Sequence, residues 1–148
     1  MAIFSGMNIS ASGMTAQRLR TDVISENIAN ANTTRTPDGG PYVRKNVVLA
    51  EKVSFDQTFG EVLHRSIGGV SNGVKVAAIT KDTDTDMNMV YDPSHPDADE
   101  NGYVIYPNVN VVTEMVDLID ATRSYEANAT AFEASKNLAS TGISLMQK

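Results

Sequence analysis

The sequence contains no cysteine, which excludes disulfides and thiolate metal sites. It has no cluster of lysine or arginine, and its net charge is -6. Phosphate binding depends on concentrated positive charge, so a nucleic-acid surface is not expected. No stretch stays apolar long enough to span a bilayer. The N-terminal residues "MAIFSGMNISASGMTAQRLR" carry no charge before Arg18 and no unbroken apolar run. They therefore lack the basic and hydrophobic regions of a cleaved secretion signal. On the residues alone, the expectation is a soluble chain that stays in the cytosol. Proline is missing from both ends, because all five prolines lie between Asn32 and Asn108.

What the ends do have is helical periodicity. Ile3, Met7, Ala11, Met14, Ile24 and Ile28 fall at spacings built from three and four, and Ile9, Ala16 and Val23 form a second stripe on the far side. A helix apolar on two sides needs neighbours on two sides. Gly6 and Gly13 each weaken it by about 1 kcal/mol relative to alanine, so alone in water it should fray. A second helix is expected after Asn108 or Asn110 as N-cap, with Glu114 and Asp117 near the positive end of its dipole. Val111, Met115, Leu118, Thr122, Tyr125, Ala129, Phe132, Lys136, Ala139, Ile143 and Met146 follow an alternating four-three step, the seam of a coiled coil. At 1.5 Å per residue, this helix is a rod of roughly 55 Å, which needs a partner along its length.

The middle reads as β and extended structure. "YVRKNVVL" from Tyr42, "VKVAAI" from Val74 and "YVIY" from Tyr103 alternate, and Asn72-Gly73 and Asn101-Gly102 are turn dipeptides. "KDTDTDMNMVYDPSHPDADE" reads as a polar loop or extended arm. "SFDQTFGEVLHRSIGG" reads as a short helix. The expected fold is therefore mainly α, with long N- and C-terminal helices pairing as a coiled-coil-like bundle and a small hairpin- and loop-rich β insert. The corresponding division is 1–32, 33–108 and 109–148.

Motifs for chemistry are weak. Asp82, Asp84 and Asp86 have the spacing that opens a calcium loop, but Met87 stands where glycine must turn and Pro93 where a bidentate glutamate belongs. His64 and His95 have no zinc-like spacing to any partner. Asp97, Asp99 and Glu100 lie in a wet loop, where carboxylates do not become acid/base catalysts. There is no nucleophile elbow, Walker loop or dinucleotide fingerprint. No catalytic, cofactor or metal residue is assigned, and an enzyme is not expected.

The stretch "SGMTAQRLRTDVISENIANANTTRTPDGGPYVRK" resembles the N-terminal signature of the bacterial flagellar axial proteins, the rod and hook components, through Ser12, Met14, Ala16, Val23, Asn27, Ile28, Ala29 and Asn30. "RSYEANATAF" from Arg123 is similar to that group's C-terminal helix. "TPDGGPYVRK" and "VYDPSHPDADENGYVIYPNVNVVTEMVDL" resemble the proximal-rod branch of the family. The resemblance implies a subunit of the proximal rod, the drive shaft that carries torque through the cell envelope. Implied partners are copies of itself, the neighbouring rod proteins FlgB, FlgF, FlgG and FliE, and the flagellar type III apparatus, which exports such chains without cleaving a signal. This replaces the cytosolic expectation. The alternatives are another rod subunit or a cytosolic coiled-coil adaptor.

The expected assembly interface is Met7, Ala11, Met14, Val23, Ile24, Asn27, Ile28 and Asn30 on the first helix. On the second it is Met115, Leu118, Tyr125, Ala129, Phe132, Ile143 and Met146. Asn27 and Asn30 are expected to hydrogen-bond between packed helices and fix their register, at some cost in stability. Asn32, where the chain leaves the helix, is expected to adopt the left-handed conformation.

Overall fold

The computed structural model describes residues 2–37, 39–52 and 72–146. It is mainly helical, with two small sheets between long end helices. The order is α1 (Ala2–Ala29), β1 (Lys45–Glu51), β2 (Val74–Lys81), β3 (Asn88–Tyr91), β4 (Tyr103–Tyr106) and α2 (Val111–Met146). β1 pairs with β2 and β3 with β4. The short helix expected from Ser54 to Gly69, and His64 with it, lies outside the described residues.

In α1 both apolar stripes contribute buried positions. Ala16, Val23 and Ile24 are buried, whereas Asn8, Thr15, Arg18, Asp22, Ser25 and Glu26 form an exposed polar strip. The helix ends by tightening: Ala31 N–H donates to the Ile28 carbonyl and Thr33 N–H to that of Asn30. Asn30 does the capping, its Nδ2 donating to the Glu26 carbonyl and its Oδ1 accepting from Thr33 Oγ1. Its expected bond to another helix is therefore replaced by a local one. Asn32 is not left-handed, since among the described residues only glycines have positive φ. The tightened turn satisfies the last carbonyls, so no left-handed cap is needed.

At the start of α2, Asn110 is the N-cap, its Oδ1 accepting from the N–H groups of Val112 and Thr113. The inward positions of α2 differ from the four-three seam. Glu114 and Ala121 are buried and Asn128, Ser135 and Gly142 half-buried, while Met115, Thr122, Lys136 and Ile143 are exposed. Leu118, Phe132 and Ala139 do turn inward. One of the two heptad lines thus sits one residue earlier than its apolar content suggests. Two of its polar side chains, Asn128 and Ser135, face glycines of α1.

The chain forms two compact units. The first comprises Met1–Leu19, Leu49–Ala77 and Thr122–Lys148. Within it, a Cβ placed on Gly6 would lie 3.6 Å from Ser135 Oγ, and one on Gly13 only 2.6 Å from Asn128 Oδ1. A side chain on Gly13 would therefore require the Asn128 amide to shift. Ser12 Oγ donates to the Ile9 carbonyl and accepts from Val74 N–H, fastening α1 to the head of β2. Gly73 makes room there: it has φ +106, and a Cβ would sit 2.2 Å from Ser12 Oγ.

The second unit comprises Arg20–Val48 and Ala78–Ala121. Here β3 and β4 run antiparallel, pairing Asn88 with Tyr106, Met89 with Ile105, Val90 with Val104 and Tyr91 with Tyr103. Part of the segment expected to be a polar loop is thus a strand. It forms because "YVIY" supplies ladder partners and the fully buried Val104 anchors one face. The loop between the strands is closed by Asp92 N–H to the Gly102 carbonyl and Asp99 N–H to the Tyr103 carbonyl.

Candidate assembly site

The most constrained place in the second unit surrounds Asn27, which is 1% exposed. Its position beside Val23 and Ile24 on α1 turns its amide inward, where every hydrogen-bonding group needs a protein partner. Asn27 Nδ2 donates to Glu114 Oε2 and to the Lys45 carbonyl, both at 2.9 Å. Asn27 Oδ1 accepts from Tyr42 Oη at 2.9 Å and from Lys45 N–H at 3.0 Å. Two donor hydrogens and two lone pairs are all an amide has, and all four are used.

Glu114 is as deeply buried, at 1% exposed, and a buried carboxylate needs compensation. Besides Asn27, its Oε1 accepts from Arg44 Nε at 2.6 Å. Arg44 also faces Asp82 at 3.7 Å and Asp117 at 3.6 Å, and Arg20 reaches Asp117 at 3.2 Å. Arg44 N–H donates to Asn108 Oδ1, and Asn108 Nδ2 donates to the carbonyls of Asp82 and Thr85. One network thereby joins the end of α1, the chain entering β1, the turn after β2, and the first turns of α2.

The acids settle into structural roles. Hydrogen bonds from the Thr85 hydroxyl and N–H, with a lesser pull from Arg44, hold the Asp82 carboxyl below the usual carboxylate range. Asp97 accepts from Thr34 Oγ1 and pairs with Arg35, tying the loop to the segment after α1. His95 Nδ1 accepts from Asp97 N–H.

Burial, then the charges of Glu26 and Glu114, push the Tyr42 phenol up to about 12 from its ordinary 10.0. A phenol with a raised folded-state value contributes stability below its unfolded value and loses it as pH rises through the folded one. The stability difference between the parent chain and Tyr42→Phe should therefore be constant at neutral pH and shrink between pH 10 and 12. Urea denaturation at stepped pH measures it; an unchanged difference at pH 12 would place the phenol outside the network.

The residues expected at an interface fall into two groups. Val23, Ile24 and Asn27 are buried, and Met7, Ala11, Met14, Ile28, Asn30, Leu118, Ala129 and Phe132 are half-buried. Met115, Tyr125 and Ile143 are exposed, and the side chain of Met146 lies outside the described residues. Around Met115 the exposure is continuous: Val112, Val116 and Ile119 on the same side of α2 are 71%, 56% and 53% exposed. The sequence reading missed Tyr42 and Arg44, and gave Asn108 only a capping role and Glu114 only a dipole role. The available signal was Asn27 itself, since a buried amide requires donors and acceptors from elsewhere.

Two segments of the chain match known family models, both at its ends. Residues 7–35 match the model described as Flagella basal body rod protein, and residues 100–145 that described as Flagellar basal body rod FlgEFG protein C-terminal. Two long terminal helices carrying these two matches define the class: an axial protein of the bacterial flagellum. Over 152 residues the chain is 46% identical to the flagellar basal-body rod protein FlgC of Borreliella burgdorferi, covering 99% of each. It is 48% identical to FlgC of Bacillus subtilis over 93% of this chain and 94% of that protein, and 38% identical to FlgC of Salmonella typhimurium over 93% of each. The chain belongs to the FlgC family of flagellar basal-body rod proteins. It is a structural subunit of the flagellar basal body, and not an enzyme.

Proposed function

We propose that the chain builds the drive shaft by pairing its end helices as a coiled-coil-like core, segments 1–32 and 109–148, and laying the arm 33–108 over neighbouring subunits. The observation that carries this reading is a recurrence. Within the first unit Gly6 meets Ser135 and Gly13, seven residues on, meets Asn128, seven residues back; within the second, Asn27 meets Glu114. Steps of seven in opposite directions are what an antiparallel coiled coil requires. Small residues bring the backbones close, and the Asn27–Glu114 pair fixes the register. Close packing of this kind resists torsion, as a shaft carrying torque from motor to hook must.

The bare side of α2 is the surface left for neighbours. Covering Val112, Met115, Val116 and Ile119 is worth at most roughly 1.5–3 kcal/mol each, less the share of each already buried. The neighbours are further copies of this chain and the rod proteins FlgB, FlgF, FlgG and FliE. The chain reaches the periplasmic part of the basal body through the flagellar type III apparatus, with no cleaved signal.

Val112→Asp with Ile119→Asp tests the reading. Both side chains are exposed, so the purified monomer should keep its circular dichroism and the variant should still be exported, while basal bodies lose the chain and swimming stops. Normal rods built from the double variant would remove α2 from the interface.

A further inference from the structure

The two ribbons of the middle segment carry opposite charge. Residues 45–52 and 74–81, which include β1 and β2, hold four lysines, of which Lys45 is paired with Glu26, and one glutamate. Residues 82–102, which include β3 and the loop to β4, hold seven acids and no lysine or arginine. Both ribbons also present apolar side chains to solvent. On β3–β4, Met89 stands opposite Ile105 and Tyr91 opposite Tyr103. Strand alternation places these four on one face, and all are exposed, while Val104 points the other way and is fully buried. The rings of Tyr91 and Tyr103 meet edge to face with centroids 5.3 Å apart, a pre-ordered platform. On β2, alternation brings the exposed Lys75, Ala77 and Ile79 to one face.

We infer that the β3–β4 face of one copy docks on the β1–β2 ribbon of a neighbouring copy in the rod. The inference rests on the assembly reading above and adds the surface and its occupant. Charge selects that occupant. Two β3–β4 faces brought together would oppose Asp84, Asp86, Asp99 and Glu100 to their own copies, whereas the lysine-bearing ribbon meets them with the opposite sign. The arrangement also suits a shaft. A contact between two different patches propagates from copy to copy, while a patch that pairs with itself closes into a dimer. The tyrosine platform supplies the contact area and the acidic rim its orientation.

Because the chain has no cysteine, introduced thiols report without background from it. Two differently tagged copies are co-expressed, one with Ile79→Cys and one with Tyr103→Cys, and basal bodies are purified and oxidised. The expected product is a disulfide-linked dimer bearing both tags, at least tenfold more abundant than any Tyr103→Cys self-dimer. Tyr91→Cys in place of Tyr103→Cys should give the same link. If both tags are present in basal bodies without the mixed dimer, the docking is overturned while the assembly reading stands. A dominant self-dimer, or a link to a different basal-body component, overturns it by naming another occupant. If the chain is missing from basal bodies with and without the cysteines, the assembly reading falls, and this inference with it.

Discussion

Asn27→Asp, a change of one nitrogen for one oxygen, should destabilise the second unit by roughly 3–5 kcal/mol and stop swimming. The side chain keeps its size, so packing is not the cause. What changes is the chemistry: two N–H donors are lost, and a carboxylate now faces Glu114 Oε2, which the amide held at 2.9 Å. The Lys45 carbonyl loses its donor as well. Against a total stability of about 5–15 kcal/mol for an ordinary domain, such a loss is severe. Asn30→Ala provides the contrast. Its amide bonds are a local cap, exposed or half-buried, so the expected loss stays within about 1 kcal/mol. Urea denaturation of the purified chains measures both; equal effects for the two positions would contradict a special role for Asn27.

Arg44→Ala should cost about as much, and more than Glu114→Ala does. Removing Arg44 strands a carboxylate that is 1% exposed with only the Asn27 amide beside it. Removing Glu114 instead leaves Arg44 with Asp82 and Asp117 still near, at 3.7 and 3.6 Å, and in a partly hydrated position. A buried charge without its partner typically costs 3–5 kcal/mol, and a guanidinium with remaining carboxylates much less. Adding Glu114→Gln to Arg44→Ala should recover roughly 1–3 kcal/mol, because the stranded charge disappears while an acceptor for Asn27 remains. Strictly additive losses in the double variant would mean that the two residues do not act together.

Much of this architecture could be read from the chain, because its long helices repeat their apolar stripes without proline. The N-cap at Asn110 and the positive φ at Gly73 and Gly102 follow from local chemistry and were legible for that reason. The face of α2 was not. Apolar content points to Met115, Ala129 and Ile143 on one line, whereas the inward line is Glu114, Ala121, Asn128, Ser135 and Gly142. Hydrophobic periodicity finds seams made of large apolar residues, and it misses one made of small and polar residues, as where Asn128 and Ser135 face glycines of α1. The same limit hid Arg44 and Glu114. They are 70 residues apart in the chain, and a charged pair that far apart carries no local pattern. Resemblance identified Asn27 as part of a signature; only the geometry assigned all four of its hydrogen bonds.

A side-chain-resolution density map of the intact basal body tests the central claim most directly. The account predicts that this chain lies in the shaft with Val112, Met115 and Ile119 covered by a neighbouring subunit, and that the bond from Asn27 to Glu114 stays within one copy. A map with those apolar side chains facing open water, or with Asn27 bonded to a different chain, would contradict it.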